Sequence, residues 1–288
     1  MKILSLFARP SLKPSWTFTP GDPIWRLYPS RSGELVGEAR NQESKRVSFF
    51  ALNGETGLPF WQDRAFDEPW WIGIEDVAEG VLLLHKFASP DMPQHKGIIG
   101  VDLRTGQELW SNAEPIYWFA YKGSVYVHKL MFEKILASEL DVKTGHTIED
   151  FGEEHEPRLF QIREEAIQAN QVGLEFPEIA DLEIVDPRIV GIVNKVLPKG
   201  GVHGPLEYGQ RNAFLLMSFH TPSKESTEEK TLLDNHFVVI DTVSGRTVYR
   251  DTVVRNSPAV VPDSFFIRNG TAFYIKDQKT LTAIRLSQ

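Results

Sequence analysis

A turn signature that recurs along the chain limits how it can fold more than any other feature. Asn53-Gly54-Glu55-Thr56-Gly57 is followed by Trp61, and Asp102-Leu103-Arg104-Thr105-Gly106 by Trp110. Weaker copies stand at Asp141-Val142-Lys143-Thr144-Gly145 and at Asp241-Thr242-Val243-Ser244-Gly245, the last followed by Tyr249. An Asp or Asn side chain accepts bonds from the next backbone N–H groups, and the glycine four residues on tolerates positive φ. Each box therefore reads as the turn of a hairpin. Recurrence at about 48 residues, with β-branched and apolar runs on both sides, marks a repeat architecture.

Proline supplies a second, independent marker. It follows a carboxylate in Asp22-Pro23, Glu68-Pro69, Glu114-Pro115 and Glu156-Pro157, and the series continues at Gly204-Pro205 and Ser257-Pro258. Proline suits the first residue of a strand, where no ladder donor is lost. Between the markers the chain divides into short strands. One repeat gives Trp70 to Glu75, Val81 to Phe87, Gly97 to Leu103 and Gln107 to Trp110. The next gives Ile116 to Tyr121, Ser124 to His128, Ile135 to Val142 and Thr147 to Phe151. A later one gives Ala213 to His220, His236 to Asp241 and Thr247 to Asp251.

Four-stranded units of this length predict an all-β chain, a β-propeller forming one domain over 1–288. Six blades are expected, or five if the segment at about 152–204 is a decayed blade or an insertion. In that segment Arg163 to Asn170 reads as helical, and Asp186-Pro187-Arg188-Ile189-Val190-Gly191 lacks the Thr-Gly turn. The chain stops on a third strand, Leu281 to Leu286. The strand at Ser15-Trp16-Thr17-Phe18 is therefore expected to supply the outer strand of the last blade and close the ring.

The box Asp-x-x-Thr-Gly-x-x-x-Trp, intact at 102–110 and nearly so at 53–61, resembles the repeat of the quinoprotein-like (PQQ-type) propellers. The resemblance implies outer-strand tryptophans packing between neighbouring blades. It does not extend to the cofactor. Quinoprotein dehydrogenases are exported eight-bladed enzymes with a vicinal disulfide and a metal beside the quinone. This chain has no cysteine and too few residues for eight blades, so PQQ is rejected and a cofactor-free member is expected.

The absence of cysteine also excludes disulfides, thiolate metal sites and a cysteine nucleophile. Net charge is -8, and no basic cluster stands out, which argues against nucleic acid as a partner. Met1 to Pro10 has too short an apolar stretch for a signal peptide, and no run is long enough to cross a membrane. The expected location is cytoplasmic. No phosphate-cradling glycine loop or Gly-x-Ser-x-Gly elbow occurs. The pairs Glu153-Glu154 and Glu228-Glu229 read as solvated.

Three constellations carry chemistry. Asp22, Glu68, Glu114 and Glu156 precede inner strands and are expected around one mouth of the central channel, either as a cation site or as solvated loop carboxylates. His85 and His128 end equivalent second strands, Gly80 to Lys86 and Gly123 to Lys129. With Glu68 and Glu114 they make a candidate divalent-metal set, against the alternative of strand-end His-Lys pairs in water. No ligand spacing marks His95, His146, His155, His203, His220 or His236. Trp70 and Trp71 belong to an aromatic-rich series that serves either as a stacking surface or as inter-blade packing. Two loops, Ser89 to Lys96 and Thr221 to Asn235, are expected on the same face. The second has a capping box at Ser226 and Glu229 for a short helix. The function expected is a non-enzymatic binding or scaffold module with a protein partner. The alternative is a metal-dependent hydrolase of the lactonase or esterase kind at the channel mouth.

Overall fold

The computed structural model describes residues 11–89, 92–131, 134–152, 155–180 and 187–287. The readings at Met1 to Pro10, at Glu153-Glu154 and at the Asp186 turn lie outside them. Five antiparallel sheets of four or five strands and two helices form among the described residues. The chain divides into two compact units, Pro20–Val172 and Met1–Thr19 with Gly173–Gln288.

The first unit holds three four-stranded sheets in chain order. They are β2 to β5 (Ile24–Pro29, Glu34–Asn41, Arg46–Asn53, Pro59–Arg64), β6 to β9 (Ile72–Ala78, Val81–Ser89, Met92–Asp102, Glu108–Asn112) and β10 to β13 (Ile116–Tyr121, Ser124–Met131, Lys134–Asp141, Thr147–Asp150). The continuous apolar run Val81 to Leu84 is explained by burial on both faces. Leu82 and Leu84 pack with Phe49, Ile72 and Val101, while Val81 and Leu83 pack with Ala120, Val125 and Leu140.

The turn boxes perform as their residues demand. Asp102 Oδ1 accepts bonds from Arg104 N at 3.1 Å, Thr105 N at 2.7 Å and Thr105 Oγ1 at 2.8 Å. Gly106 closes the turn at φ 70°. Asn53 and Asp141 repeat the pattern. Each tryptophan after a box then docks on the next box. Trp61 Nε1 donates to Leu103 O and Trp110 Nε1 to Val142 O, both at 2.9 Å. A Cβ on Gly145 would stand 2.5 Å from the Trp110 ring, so the glycine serves both the turn and the docking.

In the second unit, β16 to β19 (His203–Arg211, Phe214–Pro222, Leu233–Asp241, Arg246–Ser257) form one sheet. A second is built from β20 to β22 (Phe266–Arg268, Thr271–Lys276, Thr280–Arg285) and the N-terminal β1 (Trp16–Phe18), which pairs with β22 from Trp16↔Ala283 to Phe18↔Leu281. Phe214, Phe237, Phe265 and Tyr274 fill the space between the two.

The segment at about 152–204, expected as a degenerate blade or an insertion, is mostly helical among its described residues, and the helical reading of Arg163 to Asn170 falls inside α1. In the first unit α1 (Glu156–Gln171) lays Leu159 and Ala166 against Phe119 and Tyr126 of the β10–β13 sheet. In the second unit α2 (Pro187–Val196) covers Leu215, Met217 and Val238 with Ile189 and Val193. Two-residue strands β14 (Leu174–Glu175) and β15 (Glu178–Ile179) extend the edges at β20 and β16. An apolar sheet face needs a cover, and an amphipathic helix supplies it as well as another sheet. The helix expected after Ser226 does not form. Ser226 Oγ donates to Leu232 O and accepts from Leu232 N, cross-bracing the loop between β17 and β18. The stretch Ser89 to Lys96 likewise runs into β8 from Met92. No helix among the described residues is long and apolar enough to cross a membrane.

Candidate metal centre

The β6–β7–β8 sheet carries two irregularities side by side. Gly73 pairs with His85 and Ile74 with Leu84, but Asp76 pairs with Leu83, leaving Glu75 as an extra residue in β6. On the other side His85 pairs with Ile98 and Lys86 with Lys96, leaving Gly97, at φ 77°, as an extra residue in β8. Bulges of this kind bend a strand and re-aim its side chains.

The result is a cluster of Glu75, His85 and His95, whose ligand atoms all lie within 4.8 Å of one another. His95 Nδ1 is 2.6 Å from Glu75 Oε1. His85 Nδ1 is 3.2 Å from the same oxygen but is poorly aligned for a hydrogen bond. His85 is 2% exposed, and neither of its ring nitrogens has a hydrogen-bond partner. The His95 side chain is 35% exposed and opens the cluster to solvent. Phe87 stands edge-on to both imidazoles, and Trp71 stands edge-on to Phe87, so rings wall one side.

Burial acts to raise the Glu75 carboxyl, but the two imidazole edges facing its oxygen outweigh it and hold the group below its ordinary value. The carboxylate is thus kept anionic. Beyond His85 a Cβ on Gly73 would fall 3.0 Å from His85 Cε1 and 3.3 Å from Glu38 Oε2. A side chain at 73 would crowd that side of the buried ring. Two imidazoles and one carboxylate suit a divalent transition metal.

The residues expected from sequence are placed differently. His85 belongs to the cluster, whereas His128, Glu68 and Glu114 do not. Glu68 Oε1 accepts from Trp70 N and Trp71 N and shapes the turn before β6. Glu114 has a 79% exposed side chain and faces Lys96 at 3.4 Å. His128 does occupy the position in β11 that His85 has in β7, but its partner is Trp118, stacked at 4.4 Å. Trp118 is the extra residue of β10, as Glu75 is of β6, so one bulge site carries a carboxylate in one sheet and a ring in the next. Asp22 accepts from Asn41 Nδ2, and Glu156 lies in the first turn of α1. Trp70 is flanked by Arg40 and Lys45, each 4.9 Å from its ring, and Trp71 is partly exposed.

Sequence reasoning passed over Glu75 and His95. One signal was present: His85-Lys86 and His95-Lys96 repeat the same pair on adjacent strands, where Lys86 pairs with Lys96 and Phe87 with His95.

Beside the cluster lies a second buried carboxylate. Asp76, 4% exposed, accepts from Tyr28 and Tyr117 hydroxyls at 2.5 Å each. Burial raises its carboxyl despite those bonds.

A family model described as a domain of unknown function (DUF4905) matches residues 29–110, which include the whole cluster. No curated protein matches the chain. Among solved structures, a europium-containing methanol dehydrogenase is similar at 12% identity and TM-score 0.30, covering 93% of this chain and 52% of that one. A quinohemoprotein alcohol dehydrogenase from Comamonas testosteroni is similar at 12% identity and TM-score 0.29, with 93% and 44% covered. An uncharacterized protein from Listeria monocytogenes EGD-e is similar at 10% identity and TM-score 0.31, with 91% and 94% covered. The chain spans about half the length of the two dehydrogenases. At these scores no residue role transfers from any of the three.

Proposed function

We propose that this chain is a β-propeller-type binding module whose working centre is a divalent transition-metal site made by Glu75, His85 and His95. The observation that carries the reading is the convergence of two imidazole Nδ1 atoms on one carboxylate oxygen, one of them on a buried ring with no hydrogen bond. A buried imidazole left unpaired is costly, and a metal bond to Nδ1 removes that cost at one of its two nitrogens. The repeated sheets and the docking of each tryptophan on the following turn support the propeller reading. The half-exposed His95, with Trp71 and Phe87 beside it, marks where a partner meets the centre. A net charge of -8 favours a neutral or basic partner, and the lack of cysteine suits the cytoplasm.

The test is metal content after purification without a chelating tag. Wild type is expected to carry about one divalent ion per chain, which His95→Ala loses and His128→Ala keeps. Equal content in all three proteins, or none in any, rejects the reading.

A metal-dependent hydrolase is the second reading. It is favoured by the count of three protein ligands, the number that catalytic zinc sites use while keeping a position open for water. Turnover of a lactone or phosphoester by the metal-loaded protein, lost in Glu75→Gln, would support it. Binding without turnover leaves the module reading in place.

A further inference from the structure

The bulge that places Glu75 in β6 places Trp118 in β10, and a separate cavity of about 270 Å³ opens there. Trp118, His128, Phe151, Phe160 and Glu156 line it together with aliphatic side chains. Trp118 and Phe160 meet at 86° with centroids 5.5 Å apart, and His128 is stacked on one face of Trp118. Neither ring nitrogen of His128 has a hydrogen bond among the described residues, and burial pushes this imidazole below its ordinary value, against the pull of Glu156. Among the described lining residues the one fixed charge is Glu156, which is negative. Ring faces are also negative.

We propose that this cavity binds the alkylammonium group of a small molecule, with Trp118 and Phe160 facing the cation and Glu156 balancing its charge. Perpendicular rings with a carboxylate at the rim form the kind of cage that recognises quaternary ammonium. The volume lies below the range of drug-sized pockets, so the cavity takes a head group and not a large ligand. An organic anion is disfavoured by Glu156, and none of the described lining residues is Lys or Arg.

Choline and its uncharged isostere 3,3-dimethylbutan-1-ol separate charge from shape. Calorimetric titration is expected to show choline binding about tenfold more tightly, equivalent to 1.4 kcal/mol, within the range for a partly desolvated cation over rings. Glu156→Gln and Phe160→Ala should each remove most of that preference. Both positions are exposed, so the fold should survive, and unchanged melting temperatures check this. Phe176→Ala, an exposed ring in the other unit, should change nothing. Equal affinity for the two probes, no saturable choline binding, or full binding in both pocket variants would overturn the proposal.

Discussion

The imidazoles of His85 and His95 lie face to face, with centroids 3.5 Å apart and planes within 8° of parallel. Each ring turns Nδ1 toward Glu75 Oε1. Both nitrogens thus converge on the position a metal ion would take beside the carboxylate. The unbonded nitrogens of the buried His85 favour the metal.

Acid should destabilise the protein earlier than carboxylate titration alone would. His128, His220 and His236 are all held below their ordinary value, in each case chiefly by burial. The unfolded chain therefore binds these protons more readily than the folded one. The stability involved is complete above about pH 6.5 and is lost as pH falls through the lowered native values. Glu75, also lowered, adds a loss of the same sign at more acid pH. The urea midpoint is expected to fall between about pH 6.5 and pH 5. A midpoint that stays flat over that range would contradict the burial of these rings.

Asp76 works in the opposite direction. Its raised carboxyl makes the folded state hold the proton more tightly, so this residue costs stability as pH rises from the ordinary carboxylate value through the native one. Asp76→Asn should remove that slope while still offering a partner to a tyrosine hydroxyl. Asp76→Ala leaves the Tyr28 and Tyr117 hydroxyls without their acceptor and should cost about 2 kcal/mol or more. Equal stability of the two variants in urea would show that the hydroxyls find other partners.

Tryptophan docking separates two glycines that are alike in backbone. Gly80 and Gly145 both have positive φ, but a Cβ on Gly80 meets nothing within 4 Å, whereas one on Gly145 meets Trp110 at 2.5 Å. Gly80→Ala should cost about 1–2 kcal/mol of left-handed strain, and Gly145→Ala measurably more. Chemical denaturation of both variants decides it, and equal losses would mean that Trp110 moves aside freely.

The tryptophan itself is tested by Trp110→Phe, which leaves a ring but orphans Val142 O. A loss of about 1–3 kcal/mol is expected, as for a buried acceptor left unpaired. An unchanged denaturation midpoint would remove the indole bond from the account of how successive sheets are joined.

Local chemistry made much of this legible from sequence. The strand at Ile116–Tyr121 and the Asp-x-x-Thr-Gly turns depend only on neighbours, and Trp16–Phe18 could be matched to the strand pattern at the other end of the chain. Arg163 to Asn170 was legible as helix, but the packing of α1 and α2 on sheet faces was not, because a decayed blade and a capping helix leave the same absence of turn signals. The centre was half legible. His85 stood out through its equivalence to His128, but its real partners are fixed by hairpin register and by single-residue bulges at Glu75 and Gly97. A strand pattern read by alternation does not register one extra residue.

The most direct test is calorimetric titration of metal-stripped protein with Zn²⁺, in wild type and in Glu75→Gln. The account predicts one site per chain and affinity lower by at least about 100-fold in the variant, the upper end of what removing even an outer-shell partner does. Absence of saturable binding in wild type, or the same affinity in both proteins, would contradict the claim that Glu75, His85 and His95 form a metal centre.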